Sequence, residues 1–313
     1  MKITVFGGGG FIGSTIVDRL LLDGHDITVF ERPRVARYRN FTESESVRWV
    51  TGDLLSKTDV ESVVKGAEVV VHLVSTTLPK SSNDDPIYDV QTNLVASLQM
   101  IEAMTTHQVG RIVFISSGGT VYGRPCYTPI DESHPTDPEV SYGITKLAIE
   151  KYLLMYGKLR NIKPVILRVA NPYGERQRVE TAQGAVGVFI SKVLTGQPID
   201  IWGDGSVQRD FLHVSDVADA FAKAVTYTGT ESVFNISSGV GTSLNELVQL
   251  IGDAYGAVPS VAYTSGRQFD VPVSILSNKR AQKELNWTPQ VSIEEGISRT
   301  LKWMRAELEK PGK

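Results

Sequence analysis

The sequence predicts an α/β fold built around a doubly wound parallel sheet, and three observations predict it. Short apolar runs rich in β-branched residues recur at Ile3–Phe6, Ala67–Val74, Arg111–Ser116 and Lys163–Val169, the pattern of strands buried on both faces. Helix-length segments separate these runs, so consecutive strands are spaced for crossover connections and not for hairpins. The first run passes directly into Gly7-Gly8-Gly9-Gly10-Phe11-Ile12-Gly13 and then into a helical pattern from Ser14 to Leu22 that ends near Gly24.

Size and composition bound what such a fold does. With 313 residues, 41% apolar and 21% charged, the chain has the make-up of a soluble globular protein of one or two domains. A net charge of −3 and the lack of a basic stripe give no reason to expect nucleic acid. The single Cys126 excludes an internal disulfide and a cysteine-built metal site, so no metal is expected. Lys2 is followed at once by strand-like sequence, and no apolar run approaches the ~18 residues needed to span a bilayer. The expectation is a cytoplasmic protein with no membrane partner.

In the N-terminal loop, Gly7 allows the tight turn after the strand, Gly10 lets backbone approach a pyrophosphate, and Gly13 allows close helix–strand packing. A glycine run can also be merely a flexible loop; the strand–loop–helix context argues against that. A second strand, Asp26–Glu31, ends in an acid about 20 residues after the glycines, suited to both hydroxyls of an adenosine ribose. Glu31 thus favours NAD over NADP, although Arg32 and Arg34 leave open a 2′-phosphate. Asp53, in Val50–Leu54, is expected near the adenine.

Residues 86–107 read as one long helix containing Asn93. The strand Arg111–Ser116 ends in Ser117-Gly118-Gly119-Thr120-Val121-Tyr122-Gly123, at the sheet edge where ligands bind in such folds. A helix over 141–158 puts Tyr142 and Lys146 at i and i+4 on one face. An ammonium beside a phenol favours phenolate, and a phenolate can accept a proton from a sugar hydroxyl. The strand Lys163–Val169 leads to Asn171-Pro172-Tyr173-Gly174. Beyond it come a helix from about Val186 to Leu194, a strand Ile199–Trp202, and an apparent return to sheet-and-helix packing at Arg209–Val225. From Ser243 onward two or three helices and short strands complete a smaller, interleaved lobe.

Taken together, these segments resemble the extended short-chain dehydrogenase/reductase superfamily, and within it the NAD-dependent nucleotide-sugar epimerase/dehydratase family. The resemblance covers essentially the whole chain. It rests on Gly7-x-x-Gly10-Phe11-Ile12-Gly13, Asp53, Asn93, the Ser116–Gly123 turn, Tyr142 with Lys146, and Asn171–Gly174. Gly203-Asp204-Gly205 with Gln208-Arg209-Asp210-Phe211, Arg267-x-x-Asp270-x-Pro272 and Leu285–Pro289 complete it. It implies a Rossmann-type NAD-binding domain over 1–170 plus about 209–240, and a nucleotide-sugar lobe over about 171–208 and 241–313.

The resemblance also implies roles. Tyr142 is the acid/base, and Lys146 holds the nicotinamide ribose while lowering the tyrosine pKa. Leu54, Val74, Asn93 and Val169 join the residues above around tightly bound NAD. Asn171 touches the sugar nucleotide, and Arg209 and Arg267 hold its diphosphate, as planar guanidinium forks do; the plain alternative for each arginine is a surface ion pair. Asp270 contacts the nucleotide ribose or the substrate-binding loop. A homodimer through the 86–107 and 142–158 helices is implied too.

The dehydratases of this family carry Asp-Glu just before Val-Tyr-Gly, and the decarboxylases carry a glutamate there. This chain has Gly119 and Thr120, so it resembles the UDP-hexose 4-epimerases. Their usual Ser or Thr, four residues before the turn tyrosine, is replaced by Gly118. Ser117 is the first choice for the missing hydroxyl and Thr120 the second, both against sugar O4. Ser274 stands where hexose-restricted relatives tend to have tyrosine, which leaves room for a 2-acetamido group. The alternatives are a reductase that releases NAD(P), a UDP-glucuronate 4-epimerase, and a non-catalytic dinucleotide sensor.

Overall fold

A computed structural model describes residues 1–79, 81–177, 184–265 and 271–310. Its elements run in chain order as β1 (Lys2–Phe6), α1 (Phe11–Leu22), β2 (Asp26–Glu31), β3 (Val47–Thr51), α2 (Lys57–Val64), β4 (Val69–His72) and α3 (Pro86–Asp89). A π-helical stretch, Val90–Val95, joins α3 to α4 (Ala96–Thr106). Then follow β5 (Arg111–Ser117), α5 (Ser141–Arg160), β6 (Lys163–Val169), β7 (Asn171–Tyr173), α6 (Ala185–Leu194), β8 (Ile199–Trp202), β9 (Gln208–His213) and α7 (Val214–Thr226). The chain closes with β10 (Val233–Ile236), β11 (Gly241–Ser243), α8 (Leu244–Tyr255), β12 (Val261–Thr264), β13 (Val273–Ser274), α9 (Lys279–Leu285) and α10 (Ile293–Leu308).

Among the described residues, seven strands form one parallel sheet in the order β10-β6-β5-β4-β1-β2-β3. The strand order reverses between β1 and β4, so a crevice opens there at the carboxyl ends of the strands. Apolar side chains cover both faces of the sheet. One core joins it to α1, α7 and α9 through Ile16, Leu20, Phe221 and Trp287. The other joins it to α2, α4 and α5 through Val60, Met100, Ile149 and Leu153. Each such side chain contributes about 1.5–3 kcal/mol when fully buried, far more than differences in helix propensity. This burial accounts for α1 and α5 forming without side-chain N-caps of their own.

Three sequence expectations need correction. The run read as a strand from Ala67 to Val74 pairs only over Val69–His72, because the chain then passes over Gly7; a Cβ there would lie 3.3 Å from the Val74 nitrogen. The helix expected over 86–107 is not uniformly α-helical. Its π turn lies where Asn93 Nδ2 bonds the Asp89 carbonyl at 3.1 Å, a local widening of the kind found at functional sites. Finally, the stretch read as a return to the first domain divides. β9 pairs with β7, β11 and β13 in a second sheet, whereas α7 packs on α1 and β10 extends the central sheet. A third core, with Phe189, Ile190, Ile201, Leu247 and Ile297, holds α6, α8 and α10 against the second sheet and β8.

Candidate active site

The crevice at the switch point contains two hollows of about 340 and 310 Å³ that share Gly7, Gly10, Leu73 and Ser75. Glu31, Arg32, Asp53, Leu54 and Val74 line the first, and Phe11, Ile12 and Gly13 the second. No side chain caps α1, so its first-turn N–H groups and helix dipole are offered to an anion in this groove. The close approach needs glycine: a Cβ at Gly13 would stand 2.1 Å from the Gly7 carbonyl oxygen. At the end of β2, Glu31 accepts bonds from the Gly9 N–H (3.1 Å) and the Arg32 N–H (3.0 Å). Both carboxylate oxygens retain acceptor capacity for ribose hydroxyls. A 2′-phosphate would face this buried anion, so the residues present fit NAD.

Four residues expected at the cofactor, Asn93, Val169, Tyr142 and Lys146, are not part of this lining. Asn93 is buried, and its amide is spent inside the protein: it donates to Thr77 Oγ1 and Asp89 and accepts from the Thr76 N–H at 2.9 Å. It therefore shapes the loop that lines the groove. Val169 is enclosed in the core and paired with Ser117 across β5 and β6.

Helix α5 reaches the groove through Ile115, which lines the second hollow. Lys146 is buried, donates to the Ile115 carbonyl at 3.1 Å, and lies 4.8 Å from the Phe114 ring centre and 5.7 Å from that of Tyr142. The shift expected towards phenolate runs the other way. Burial pushes the Tyr142 hydroxyl up to about 12, against a hydrogen bond with Ser75 that pulls it down, and the Asp89 charge raises it further. Burial likewise pushes Lys146 down to about 8, with Asp89 and Glu150 acting in the opposite sense. Desolvation, which favours the neutral form of each group, outweighs the attraction of the ammonium for the phenolate.

Sequence reasoning missed the groups that set this geometry. The first-turn N–H groups of α5 are capped from a distant loop: Ser141 N–H donates to Asn83 Oδ1 (2.9 Å) and Tyr142 N–H to Ser82 Oγ (3.0 Å). The Asp89 carboxylate, fully buried, accepts from the Ser141 and Thr145 hydroxyls. These partners lie more than fifty residues apart, and no local motif announces them.

Beside the Ser116–Gly123 turn lies a cavity of about 630 Å³, lined by Asn171, Arg209, Phe189, Trp202, Phe211 and Lys192 among others. A Cβ at Gly119 would come within 4.0 Å of Asn171 Oδ1, so the turn and the cavity adjoin through Asn171. Arg209 donates to the Val271 carbonyl at 2.7 Å and is paired in register with Ser274 of β13. Arg267 and Asp270 lie outside the described residues. Ser117 closes β5, and the Thr120 hydroxyl is buried without a hydrogen-bond partner among the described residues. Gly118 is glycine for a steric reason: a Cβ there would stand 2.3 Å from Leu276 Cδ1 and 3.2 Å from the Arg168 carbonyl oxygen.

Comparison with known proteins agrees with this geometry. The model of the NAD dependent epimerase/dehydratase family matches residues 3–237. The chain belongs to that family. One relative in it, the UDP-glucose 4-epimerase of Mycolicibacterium smegmatis, is 37% identical over 310 residues, covering 97% of this chain and 99% of the relative. The crystal structure of Thermotoga maritima UDP-glucose 4-epimerase with UDP-glucose superposes with a TM-score of 0.93 at 33% identity, covering 99% of this chain and 100% of that one. UDP-N-acetylglucosamine 4-epimerase from Methanobrevibacter ruminantium, in complex with UDP-N-acetylmuramic acid, gives 0.91 at 28% identity, with 98% of each chain covered.

The steric reading of Gly118 predicts that restoring the hydroxyl usual in this family is harmful. Gly118→Ser is expected to lower stability by about 1–3 kcal/mol, as overpacking does. A companion Leu276→Val should recover part of the loss in urea denaturation. A Gly118→Ser protein as stable as the parent would show that Leu276 moves aside freely.

Proposed function

We propose that this protein interconverts C4 epimers of a UDP-hexose, using tightly held NAD in the Gly7–Gly13 and Glu31 groove. The observation that carries the proposal is one conjunction of residues. Tyr142 and Lys146 are tied to the groove through Ser75 and Ile115, while Gly119 and Thr120 occupy the turn positions where elimination or decarboxylation would require acids. The activity named for the relatives above points the same way.

The chemistry that bound NAD supplies is reversible removal of hydride from sugar C4. The chain's own residues manage the proton and the position of the sugar. Tyr142 takes the O4 proton as the 4-keto sugar forms and returns it when the opposite face is reduced. To act as that base Tyr142 must first release its own proton to solvent, and the Lys146 cation beside it favours the phenolate so formed. Ser117, or Thr120 in second place, supplies the further hydrogen bond to O4. Arg209 and Arg267 hold the diphosphate, Asp270 the nucleotide ribose or its loop, and Asn171 the sugar; the aromatic walls of Phe189, Trp202 and Phe211 suit a nucleobase. The lobe formed by about 171–208 and 241–313 is thereby the sugar-nucleotide lobe. Ser274, beside Arg209, leaves space for a 2-acetamido group, so both plain hexoses and N-acetylhexosamines are substrates.

A homodimer in a cytoplasmic setting completes the proposal. Ile87, Val90 and Val95 share an exposed apolar face with Ile144, Tyr152, Met155 and Leu159 of α5, and α4 packs on α5. A patch of this kind marks an interface, and two copies would cover it by pairing these helices. Sedimentation should give a dimer, and Met155→Glu with Leu159→Glu should shift it towards monomer; a monomeric parent overturns this part.

Incubation with UDP-Glc, UDP-Gal, UDP-GlcNAc, UDP-GalNAc and UDP-glucuronate, without added NAD(P)H, should yield only the C4 epimers of accepted sugars. Tyr142→Phe should slow turnover by about 10²–10⁴-fold, the usual worth of a positioned acid/base. Products at a lower oxidation level, or dependence on added NAD(P)H, would favour a reductase. Ser274→Tyr is expected to suppress turnover of the acetamido sugars while sparing UDP-Glc and UDP-Gal; equal acetamido turnover in both proteins would sink that assignment.

A further inference from the structure

The Asp89 carboxylate is completely buried at the junction of α3, the π turn and the first turn of α5. Among the described residues its hydrogen-bond donors are all uncharged. Oδ2 accepts from Ser141 Oγ (2.8 Å) and Thr145 Oγ1 (2.7 Å), and Oδ1 accepts from Asn93 Nδ2 (2.9 Å) and Thr77 Oγ1. Glu150, the other buried carboxylate near Lys146, is by contrast neutralised by Arg168 at 2.6 Å. Lys146 directly follows Thr145, which Asp89 holds at 2.7 Å, and the Asp89 charge favours the Lys146 ammonium more than that of Glu150 does. An anion at the N-terminus of α5 is also favoured by the helix dipole.

We propose that Asp89 is a positioning residue for catalysis: its carboxylate clamps the first turn of α5 through Ser141 and Thr145 and keeps Lys146 protonated beside Tyr142. This rests on the reading of Tyr142 and Lys146 as the reacting pair. The clamp and the charge are separate effects of one group. Ser141 and Thr145 flank Tyr142 in sequence, so two bonds to a fixed anion hold the turn that carries the phenol. The loop bearing Ser82 and Asn83 caps the same turn, and Asp89 anchors Thr77 from that loop. Among the described residues, the titratable groups around Lys146 are Asp89 from α3, Tyr142 and Glu150 from α5 itself, and His72 from β4. Burial keeps His72 neutral, down at about 3, and Glu150 is spent on Arg168. Asp89 is the one carboxylate of the set whose negative charge is not already matched.

Asp89→Asn separates charge from geometry, because the amide can accept at one atom and donate to the rotatable Ser141 and Thr145 hydroxyls at the other. Two readouts are expected to move together. The alkaline limb of kcat/KM for the accepted UDP-sugar should shift down by about one pH unit, the usual effect of losing a nearby opposite charge. The Lys146 titration, followed by NMR of protein labelled at lysine Cε and assigned with Lys146→Met, should shift in the same direction. Ser141→Ala with Thr145→Val keeps the charge and removes the clamp. It should lower kcat about tenfold with KM held within about threefold, while Lys146 titrates no lower than in the parent. An Asp89→Asn protein with both readouts at the parent's pH overturns the proposal, as does a doubly substituted clamp with kcat within twofold of the parent. The NMR arm needs no sugar, so a parent that epimerises nothing overturns the functional reading and leaves this test standing.

Discussion

Two full charges meet where α5 crosses β5 and β6, and water reaches neither of them. Arg168 of β6 and Glu150 of α5 pair at 2.6 Å with side chains 5% and 1% exposed, a second bond runs from Nε at 3.0 Å, and Ser116 of β5 donates to the same carboxylate. Taking both ions out of water costs several kcal/mol each, so such a pair adds little net stability over an apolar pair of similar volume. Breaking it is another matter, since one buried charge would then stand alone. The consequence is registry: α5 can slide or rotate over β5 and β6 only by separating the ions. Tyr142, Lys146 and Glu150 stand at i, i+4 and i+8, so fixing Glu150 fixes the face that presents the other two to the groove.

The second lobe is tied to the same point. The Arg168 guanidinium lies 4.8 Å from the centre of the Tyr122 ring, whose hydroxyl donates to Asn235 of β10 at 2.7 Å. Tyr122 packs with Val121, Ile130, Ala170 and Leu276 in a small core between the lobes. Asp210 of β9, fully buried, accepts from the Ser238 and Gly239 N–H groups at the end of β10 and from the Leu276 N–H. Burial pushes its carboxyl up to about 6 in spite of these donors. Its neighbour Arg209 lines the cavity, so the strand that carries the cation proposed for the diphosphate is anchored through Asp210 to the end of β10.

What could be read from the chain alone follows from the range of the interactions. The strands of the central sheet show as unbroken apolar runs because both faces are covered, and the Gly7–Gly13 loop shows because backbone contact there leaves no room for a Cβ. Tyr142 and Lys146 show because they are neighbours on one helix. Asp89 does not: its partners Ser141 and Thr145 lie more than fifty residues away, and nothing local distinguishes it from an exposed helix-starting acid. Asn93 was legible as a site residue but not in its role, since an asparagine that lines a groove and one that shapes the lining carry the same local pattern. The direction of the Tyr142 shift was also out of reach. It depends on how fully the phenol and ammonium are desolvated, and spacing on a helix says only that they are near.

The same contrast explains Gly118. Read along the chain, it is a missing hydroxyl in a familiar turn. In the fold, the space its Cβ would occupy is already taken by Leu276, delivered by the second lobe, with the Arg168 and Val169 carbonyl oxygens close on the other side. Gly118 N–H bonds Val169 at 2.8 Å, so the backbone cannot back away without breaking the end of the sheet. Leu276 and Gly118 are thus one solution to packing the interlobe core, and in the proposed reaction the hydroxyl against O4 has to come from a position whose side chain is free of that core. Ser117, one residue earlier at the end of β5, meets that condition more readily than any residue of the packed segment from Val121 to Tyr122, because successive strand side chains point to opposite faces.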